Sequence, residues 1–262
     1  MVTPVLVFDI ETVPDVAGIR KLHNVSAEVP DSDVAAMAFQ LKRQRTGNDF
    51  LPLHLQRVVA ISCALSDEET FRVWSLGAGD EEGSEAQIIQ RFFDGIEKYT
   101  PQLVSWNGSG FDLPVLHYRG LIHAVRAPRY WDTGDDDREF RYNNYISRYH
   151  MRHCDVMDLL SLYQGRAVAP LDEIAQLLGL PGKLGMDGSQ VWDAYQAGRL
   201  ADIRNYCETD VVNTYLVFLR FQAMRGAITA DQHAARCVLV RETLGRSNDP
   251  HWQEFLAHWP SA

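Results

Sequence analysis

Two carboxylates, Asp9 and Glu11, lie one residue apart in the otherwise apolar stretch Leu6–Thr12. The apolar and β-branched residues of this stretch predict a buried strand. Because side chains alternate across a strand, we expect Asp9 and Glu11 on one face and Phe8 and Ile10 on the other. Two neighbouring carboxylates repel each other and lose hydration on burial, and a hard divalent cation relieves both costs. The pair therefore predicts either half of a metal site or a strand end with two solvated acids.

A third acid, Asp112, follows a glycine-rich turn in the segment Trp106–Asp112. A short predicted strand precedes this turn, and a predicted helix follows it. Functional groups of α/β proteins gather at the carboxyl ends of strands, so Asp112 is expected beside Asp9 and Glu11. Two ordinary roles stay open, because Asp112 also suits a helix N-cap and Asn107 also suits a turn.

A fourth acid, Asp210, lies in a predicted helix four residues after Tyr206. Residues i and i+4 share one face of a helix, so these two side chains project together. Apolar residues at Val212, Leu216 and Leu219 indicate that the helix packs against the rest of the protein. An acid beside such a packed face needs an ion pair or a metal. The alternative is an exposed helix face that carries Tyr206 and Asp210.

In this order, the three patterns resemble the exonuclease motifs of the DnaQ-like 3′–5′ exonucleases. The patterns are Asp-x-Glu on the first strand, Asn-x-x-x-Phe-Asp before a helix and Tyr-x-x-x-Asp on a late helix. They are similar to the tyrosine-containing (DEDDy) branch, which is related to the proofreading domain of family B DNA polymerases. Within that branch, the chain resembles the stand-alone group of predicted PolB-like 3′–5′ exonucleases. The resemblance runs from about residue 5 to about residue 222 and implies a ribonuclease H-like fold.

The resemblance implies that Asp9, Glu11, Asp112 and Asp210 bind two divalent metal ions, Mg²⁺ or Mn²⁺. Asp9 would bridge both ions, and Asp112 would support the second through water. Glu11 and Asp210 would hold the first, and Tyr206 would orient the attacking water and help to deprotonate it. An all-carboxylate site suits hard cations, and two ions about 3.5–4 Å apart stabilise both the attacking and the leaving oxygen of a phosphodiester. The implied partner is the 3′ end of a single-stranded nucleic acid, with DNA favoured over RNA, and the products are nucleoside 5′-monophosphates.

Three further residues are candidates for substrate binding: Asn107, Phe111 and Lys183. Phe111 could stack on the terminal base, as aromatic residues of single-strand binders do, although core packing is its ordinary role. Lys183 lies in the glycine-rich loop Pro181–Gly188 and could contact a substrate phosphate. The loop lacks the GxxxxGK[ST] pattern, so a nucleotide-binding P-loop is not predicted.

Two other features have a functional and an ordinary interpretation. His153 and Asp155 could be ligands at the fringe of the site, but hydrogen bonding at a strand end is favoured. The basic run Arg138–Arg152 could guide a nucleic-acid strand, but a solvated surface is favoured.

The overall composition narrows the class of protein. The chain has 262 residues with 46% hydrophobic and 10% aromatic content, as in ordinary globular proteins. Its formal net charge of −10 argues against a broad surface that grips duplex nucleic acid, although metal ions in an acidic site still bind phosphate. The four scattered cysteines indicate reduced thiols. No signal peptide or bilayer-spanning run is evident, so we expect a cytoplasmic protein without membrane contact, and protein partners are not predicted.

The order of the predicted elements indicates an α/β protein with a mixed five-stranded sheet, antiparallel in its first three strands and flanked by helices. This order agrees with the ribonuclease H-like fold that the resemblance implies. Strands are predicted at 6–12, 58–65, 70–76, 103–106 and 153–156, and helices at 33–42, 85–99, 112–124, 157–163, 170–178 and from 191 onwards. Gly77–Gly83 is predicted as a loop, and residues 126–149 are not assigned. We expect one domain over residues 1–262, with a motif-bearing core at about 5–222 and a C-terminal helical extension at about 227–262.

Three functions fit these residues. The first is a metal-dependent 3′–5′ exonuclease, and the second is a catalytically silent DnaQ-like module that binds nucleic acid or a partner. The third is a hydrolase of a small phosphoester. The complete set of four acids and one tyrosine favours the first function over the second, because a silent module has no need for mutually repelling carboxylates. The sequence predicts no role for the insertion at 12–56 or for the C-terminal helices.

Overall fold

A computed structural model describes residues 3–77 and 83–260 of the chain and shows a five-stranded sheet. The strands are β1 (Val5–Pro14), β2 (Gln56–Ser66), β3 (Phe71–Gly77), β4 (Gln102–Ser105) and β5 (His153–Asp155). Their order is β3-β2-β1-β4-β5, with β1, β2 and β3 antiparallel and with β4 and β5 added in parallel. This topology confirms the predicted ribonuclease H-like α/β fold. Of the predicted loop Gly77–Gly83, residues 78–82 lie outside the described residues.

Helices cover both faces of this sheet. They are α1 (Val16–His23), α2 (Asp31–Thr46), α3 (Glu85–Tyr99), α4 (Asp112–Ile122), α5 (Pro128–Trp131), α6 (Val156–Leu160), α7 (Leu171–Leu177), α8 (Val191–Gln196), α9 (Leu200–Met224), α10 (Ala230–Gly245) and α11 (Pro250–His258). Across the described ranges, none of these helices combines the length and the apolar character that a membrane crossing requires.

The central strand, β1, separates two hydrophobic cores. Phe8 and Ile10 pack on one face of the sheet with apolar residues of α3 and α4. Val7 packs on the opposite face with apolar residues of α9. Side chains alternate along a strand, so Asp9 and Glu11 lie on the α9 side, as the sequence predicts.

Helix α9 lies across the second face of the sheet and is buried on all sides from Tyr206 to Leu219. Helices α7, α8, α10 and α11 contact it. The last two belong to the predicted C-terminal extension, and Trp252 and Phe255 of α11 are part of the same core as α9. The extension therefore shields the helix that carries Tyr206 and Asp210 from water.

Three segments differ from the sequence prediction. Helix α1 was not predicted; it forms because Asp15 caps its first turn and Ile19 is buried in a small core with α2. Helix α6 is shorter than predicted, because the backbone turns left-handed at Leu162 and Tyr163 soon after its end. The unassigned residues 126–149 contain the short helix α5 and one helical turn, and are otherwise irregular.

A buried ion cluster fixes α4 relative to β1. The Arg119 side chain is only 3% exposed, and its Nε donates a hydrogen bond to Glu85 Oε1 at 2.7 Å, while its Nη1 donates to Asp15 Oδ2 at 2.5 Å. Glu85 also accepts a hydrogen bond from the backbone N of Val58 at 2.8 Å. Asp112 begins the same helix two turns before Arg119, so the cluster holds Asp112 in place relative to the sheet.

We predict that Arg119→Leu lowers the free energy of unfolding by about 3–5 kcal/mol, because Asp15 and Glu85 then stay buried without their cation. Urea unfolding followed by circular dichroism measures this loss. The matched control is Arg43→Leu, since Arg43 is paired with Asp49 at an exposed site and should contribute little. Similar losses in the two variants would contradict the role assigned to the cluster.

Candidate active site

Four acidic side chains lie together where β1, α4 and α9 meet. Asp9 and Glu11 come from β1, Asp112 from the first turn of α4, and Asp210 from α9. Glu11, Asp112 and Asp210 are buried, and Asp9 is half-buried. Asp112 Oδ1 accepts a hydrogen bond from the backbone N of Ile10 at 3.1 Å, which places this carboxylate directly beside the two acids of β1.

The pairing of β1 with β2 is irregular beside these acids. The register shifts between Glu11 and Thr12, and a bulge of this kind bends a strand and changes the direction of a side chain. One ligand atom each from Asp9, Glu11 and Cys207 lies within 4.8 Å of the others. Cys207 Sγ is 3.6 Å from Asp9 Oδ2 and donates towards it, so α9 contacts Asp9 through a thiol.

Asp112 is the first helical residue of α4 and not its N-cap. Phe111 occupies the cap position, and the Asp112 carboxylate accepts its hydrogen bond from β1. The N-cap alternative is therefore wrong. The turn before α4 is held by Asp155, whose carboxylate accepts hydrogen bonds from the backbone N of Asn107 at 3.0 Å and of Ser109 at 2.8 Å. Asp155 thus has the strand-end role that the sequence favours.

His153 also has a structural partner. Its Nε2 lies 2.8 Å from Ser105 Oγ at the end of β4. Its ring lies 6.2 Å from the ring of Phe8, which is on the face of the sheet opposite to Asp9. Burial lowers the pKa of His153 to about 4, so the imidazole stays neutral at neutral pH. These contacts support the interpretation as a strand-end hydrogen bond.

Tyr206 and Asp210 project from α9 towards β1, one helical turn apart as predicted. Tyr206 is 5% exposed and packs in a small core with Val13 of β1. Burial raises the pKa of the Tyr206 hydroxyl, and the charges of Asp210 and Glu11 raise it further. Within the described part of the chain, the buried Oδ1 of Asp210 has no hydrogen-bond partner. A buried oxygen without a hydrogen bond destabilises the folded state, so this oxygen is a candidate ligand for a cation.

Burial opposes the ionisation of all four carboxylates, and repulsion by the neighbouring acids adds to this effect at Asp9 and Glu11. Burial raises the pKa of Asp9 well above its ordinary value, and the charges of Asp112, Glu11 and Asp210 raise it further. Burial also raises the pKa of Glu11, with smaller contributions from Asp210 and Asp112. Burial raises the pKa of Asp112 to about 7 and that of Asp210 to about 6. A bound cation favours the charged forms and would lower all four pKa values.

Lys183 brings a positive charge near the acids. Its Nζ lies 5.3 Å from the centre of the Tyr206 ring, and its charge opposes the rise that burial causes in the pKa of Glu11 and of Asp210. Its loop is anchored, because the backbone N of Lys183 donates to Asp172 Oδ1 at 2.7 Å. The ion pairs found in residues 3–77 and 83–260 include none of the four acids.

Asn107 and Phe111, the other two predicted substrate contacts, lie at the rim of the candidate active site. Asn107 is exposed and has a positive φ of 66°, and its carbonyl accepts hydrogen bonds from the backbone N of Gly110 and of Phe111. The structure thus supports its ordinary role in the turn. Phe111 is half-buried, and its ring lies 5.6 Å from that of Phe50. Phe50 is 56% exposed and comes from the insertion at 12–56, so the insertion reaches the rim of the site.

Cys207 and Phe50 are the residues near the site that sequence reasoning missed. Cys207 precedes Asp210 by three residues, so the helical spacing contained the information that they share a face. Phe50 is distant in sequence from Phe111, and no pattern around Phe50 predicts their contact.

The donor atoms of this site fit hard divalent cations. Carboxylate oxygens are the ligands that Mg²⁺ and Mn²⁺ prefer, and four carboxylates converge here. The unpartnered Oδ1 of Asp210 offers a contact that no described protein group fills. Burial raises the pKa of Cys207 well above its ordinary value, so its sulfur stays a thiol and is a poor ligand for a hard cation. Asp9, Glu11, Asp112 and Asp210 are thus the residues that could hold metal ions.

Comparison with known protein families gave one relevant match. Residues 48–259 match a family described as predicted 3′–5′ exonucleases related to the exonuclease domain of PolB. The matched range includes Asp112, Tyr206 and Asp210 but begins after Asp9 and Glu11. Strand β2, which is inside the range, pairs with the whole of β1 and thereby brings these two acids to the matched residues. A search of curated proteins found no match.

We predict that Mg²⁺ or Mn²⁺ stabilises the folded chain, because a cation relieves the repulsion among the buried carboxylates. At a metal concentration one hundred times the Kd, the free energy of unfolding should rise by about 2.7 kcal/mol relative to the same protein in EDTA. Urea unfolding with and without metal measures the difference.

Asp210→Asn should make the metal-free protein more stable and should reduce the gain from metal. Asp193→Asn, at an exposed position of α8, is the matched control and should keep the full gain. An equal gain in both variants would exclude Asp210 as a ligand.

Proposed function

The chain belongs to the family of predicted 3′–5′ exonucleases related to the exonuclease domain of PolB, and we propose that it is a metal-dependent 3′–5′ exonuclease acting on single-stranded nucleic acid. One observation carries the proposal. Four acidic side chains from three elements are gathered at the sheet with none of them in an ion pair of the described chain, and one buried oxygen of Asp210 lacks a partner. Such an arrangement is costly unless cations complete it.

Asp9, Glu11, Asp112 and Asp210 are the residues that we assign to hold two Mg²⁺ or Mn²⁺ ions. Two such ions, when bound, polarise the phosphodiester and stabilise the charge on the attacking and leaving oxygens. The chain itself orients two of the four carboxylates before the substrate arrives. The backbone N of Ile10 orients Asp112, and the thiol of Cys207 orients Asp9.

Tyr206 is the residue that we assign to orient the attacking water, and because its raised pKa keeps the hydroxyl protonated, it would help deprotonation only through a hydrogen bond. Its buried ring cannot turn freely, because it packs beside Val13 and below the ammonium group of Lys183. The hydroxyl is therefore held close to the Asp210 carboxylate, where a water in line with the scissile bond needs a hydrogen-bond partner.

The rim residues suit the remaining parts of the substrate. Lys183 places a cation close enough to neutralise a substrate phosphate, and the half-buried ring of Phe111 suits stacking on the terminal base. Asn107 supports this rim through its turn. The family resemblance favours DNA over RNA. We also propose that residues 1–262 act as one exonuclease domain, since the extension after residue 227 packs on α9.

A nuclease assay tests the proposal. A 5′-labelled single strand should be shortened progressively from its 3′ end in Mg²⁺ or Mn²⁺, EDTA should stop the reaction, and matched DNA and RNA strands should show faster cleavage of DNA. Binding without cleavage would support the silent module instead. Cleavage of a small phosphoester alone would support the third candidate function.

In the same assay, Asp9→Ala should slow cleavage by roughly a thousandfold or more. The variant loses a carboxylate assigned to both ions, and metal ions contribute several kcal/mol to phosphodiester cleavage, at about 1.4 kcal/mol per tenfold in rate. Circular dichroism should show that it remains folded, and Asp193→Ala should cleave as the unmodified chain does. Full activity of Asp9→Ala would end the two-metal proposal.

Tyr206→Phe should slow cleavage by roughly a hundredfold, because the ring stays packed while the hydroxyl that contacts the water is lost. The gain in stability on adding Mn²⁺ should persist, since no metal ligand has been removed. Tyr99→Phe, at a half-exposed ring, is the control for hydroxyl removal. If Tyr206→Phe cleaves at the unmodified rate, the assigned role of Tyr206 has to be withdrawn.

A further inference from the structure

Two exposed residues, Arg148 and Tyr149, and the half-buried Tyr163 form a group in the segments on either side of the edge strand β5. We call Arg148, Tyr149 and Tyr163 the stacking surface. The Arg148 guanidinium lies 4.6 Å from the centre of the Tyr163 ring and 6.0 Å from that of Tyr149. The centres of the two rings are 5.9 Å apart, the ring planes are inclined by 69°, and Tyr149 is 78% exposed. A large aromatic ring with this exposure is available to a ligand.

The backbone holds the stacking surface in an uncommon conformation. Leu162 and Tyr163 have φ angles of 53° and 59°, in the left-handed region that bulky residues rarely adopt. The Tyr163 hydroxyl donates a hydrogen bond to the backbone O of Arg148 at 2.8 Å and so ties the two loops together. This conformation costs free energy, and burial of Leu162 does little to offset that cost, because Leu162 is 73% exposed.

The stacking surface is joined to the rim of the candidate active site. Asp155 accepts hydrogen bonds from the backbone N of Ser109, in the turn before α4, and of Asp158, in α6. Ser109, Asp158, Arg148 and Tyr163 line one small crevice between that turn and the surface. Ser109 lies three residues before Asp112. The stacking surface and the four acids therefore lie at the same edge of the sheet, where the parallel β-strands end. A nucleic-acid strand that leaves the site can pass along this edge.

The local charge differs from that of the whole chain. Residues 140–170 contain four arginines and two aspartates, whereas the chain has a formal net charge of −10. Arg152 and Asp155 are buried, Arg148 is exposed, and Asp158 is half-buried in the crevice that Arg148 also lines. An exposed arginine beside an open aromatic ring is complementary to a phosphate and a base of a single strand.

We propose that the stacking surface binds the single-stranded substrate on the 5′ side of the nucleotide being removed. A base stacks on Tyr149, and Arg148 contacts a neighbouring phosphate. This inference rests on the proposed exonuclease function. It names a second contact region, which lies outside the reaction centre and holds the part of the strand that remains after each cleavage.

The test compares a twelve-nucleotide strand with a dinucleotide. Tyr149→Ala should lower the ratio of kcat/KM for the long substrate over the short substrate by about 5- to 150-fold, which is the range for loss of one stacked base. Tyr149→Phe keeps the ring and should keep the ratio. Tyr142→Ala is the matched control, because this tyrosine is 84% exposed in the same segment but makes none of the ring contacts of the described chain.

Direct binding separates this inference from the proposed function. Fluorescence anisotropy with the labelled twelve-nucleotide strand should show a weaker Kd for Tyr149→Ala by a similar factor. Arg148→Gln should reduce the slope of log Kd against log salt by about 0.7, the value for one lost phosphate contact. If Tyr149→Ala weakens binding of the strand but the unmodified chain cleaves no substrate, the exonuclease proposal fails. The proposal that the stacking surface binds a single strand is then still supported.

Two results would overturn the proposal that the stacking surface binds the single strand. The first is that the unmodified chain cleaves the long strand, but Tyr149→Ala has the same ratio of kcat/KM values and the same Kd as the unmodified chain. The second is the absence of any binding of the single strand to the unmodified chain.

Discussion

Electrostatic repulsion among four gathered carboxylates is the constraint on which the rest of this structure depends. All four carboxylates lose hydration on burial, and the charges of the neighbouring acids raise the pKa of Asp9 and of Glu11 further, so their association opposes folding. The surrounding chain therefore has to hold the assembly rigidly, and protonation or cation binding has to offset the repulsion. The same repulsion that destabilises the metal-free protein would favour binding of the cations proposed above.

The rigid support comes from contacts that leave each carboxylate little freedom. Strand β2 pairs with β1 along Val5–Pro14, whereas β4 pairs only with Val5–Val7, and beyond that point the backbone N of Ile10 donates to Asp112. The Arg119 cluster fixes the start of α4, and Asp155 fixes the turn before it. That turn also needs glycine at position 108, since an added Cβ would lie 2.3 Å from Ser105 Oγ. The support is therefore made of hydrogen bonds and ion pairs as much as of apolar packing.

The sequence predicted those parts of the site that depend on local periodicity. Strand alternation placed Asp9 with Glu11, and helical spacing placed Tyr206 with Asp210. Contacts between distant segments were not predictable in this way: Phe50 reaches Phe111 across the insertion, and nothing in either segment encodes the pairing. The left-handed turn at Leu162 was missed for a related reason, because propensity favours a longer α6 and tertiary contacts override it.

The family match extends to residue 259, past the end of the predicted resemblance near residue 222, and the C-terminal helices α10 and α11 contact α9. Glu208 lies on α9 between Tyr206 and Asp210, and its Oε1 accepts a hydrogen bond from Ser75 Oγ at 2.7 Å. Its Oε2 lies 3.0 Å from Nε2 of His251 on α11. These bonds fix the rotation of the helical turn that carries Tyr206 and Asp210. Strand β3 and helix α11 thus set the geometry of the site without contributing a ligand to it.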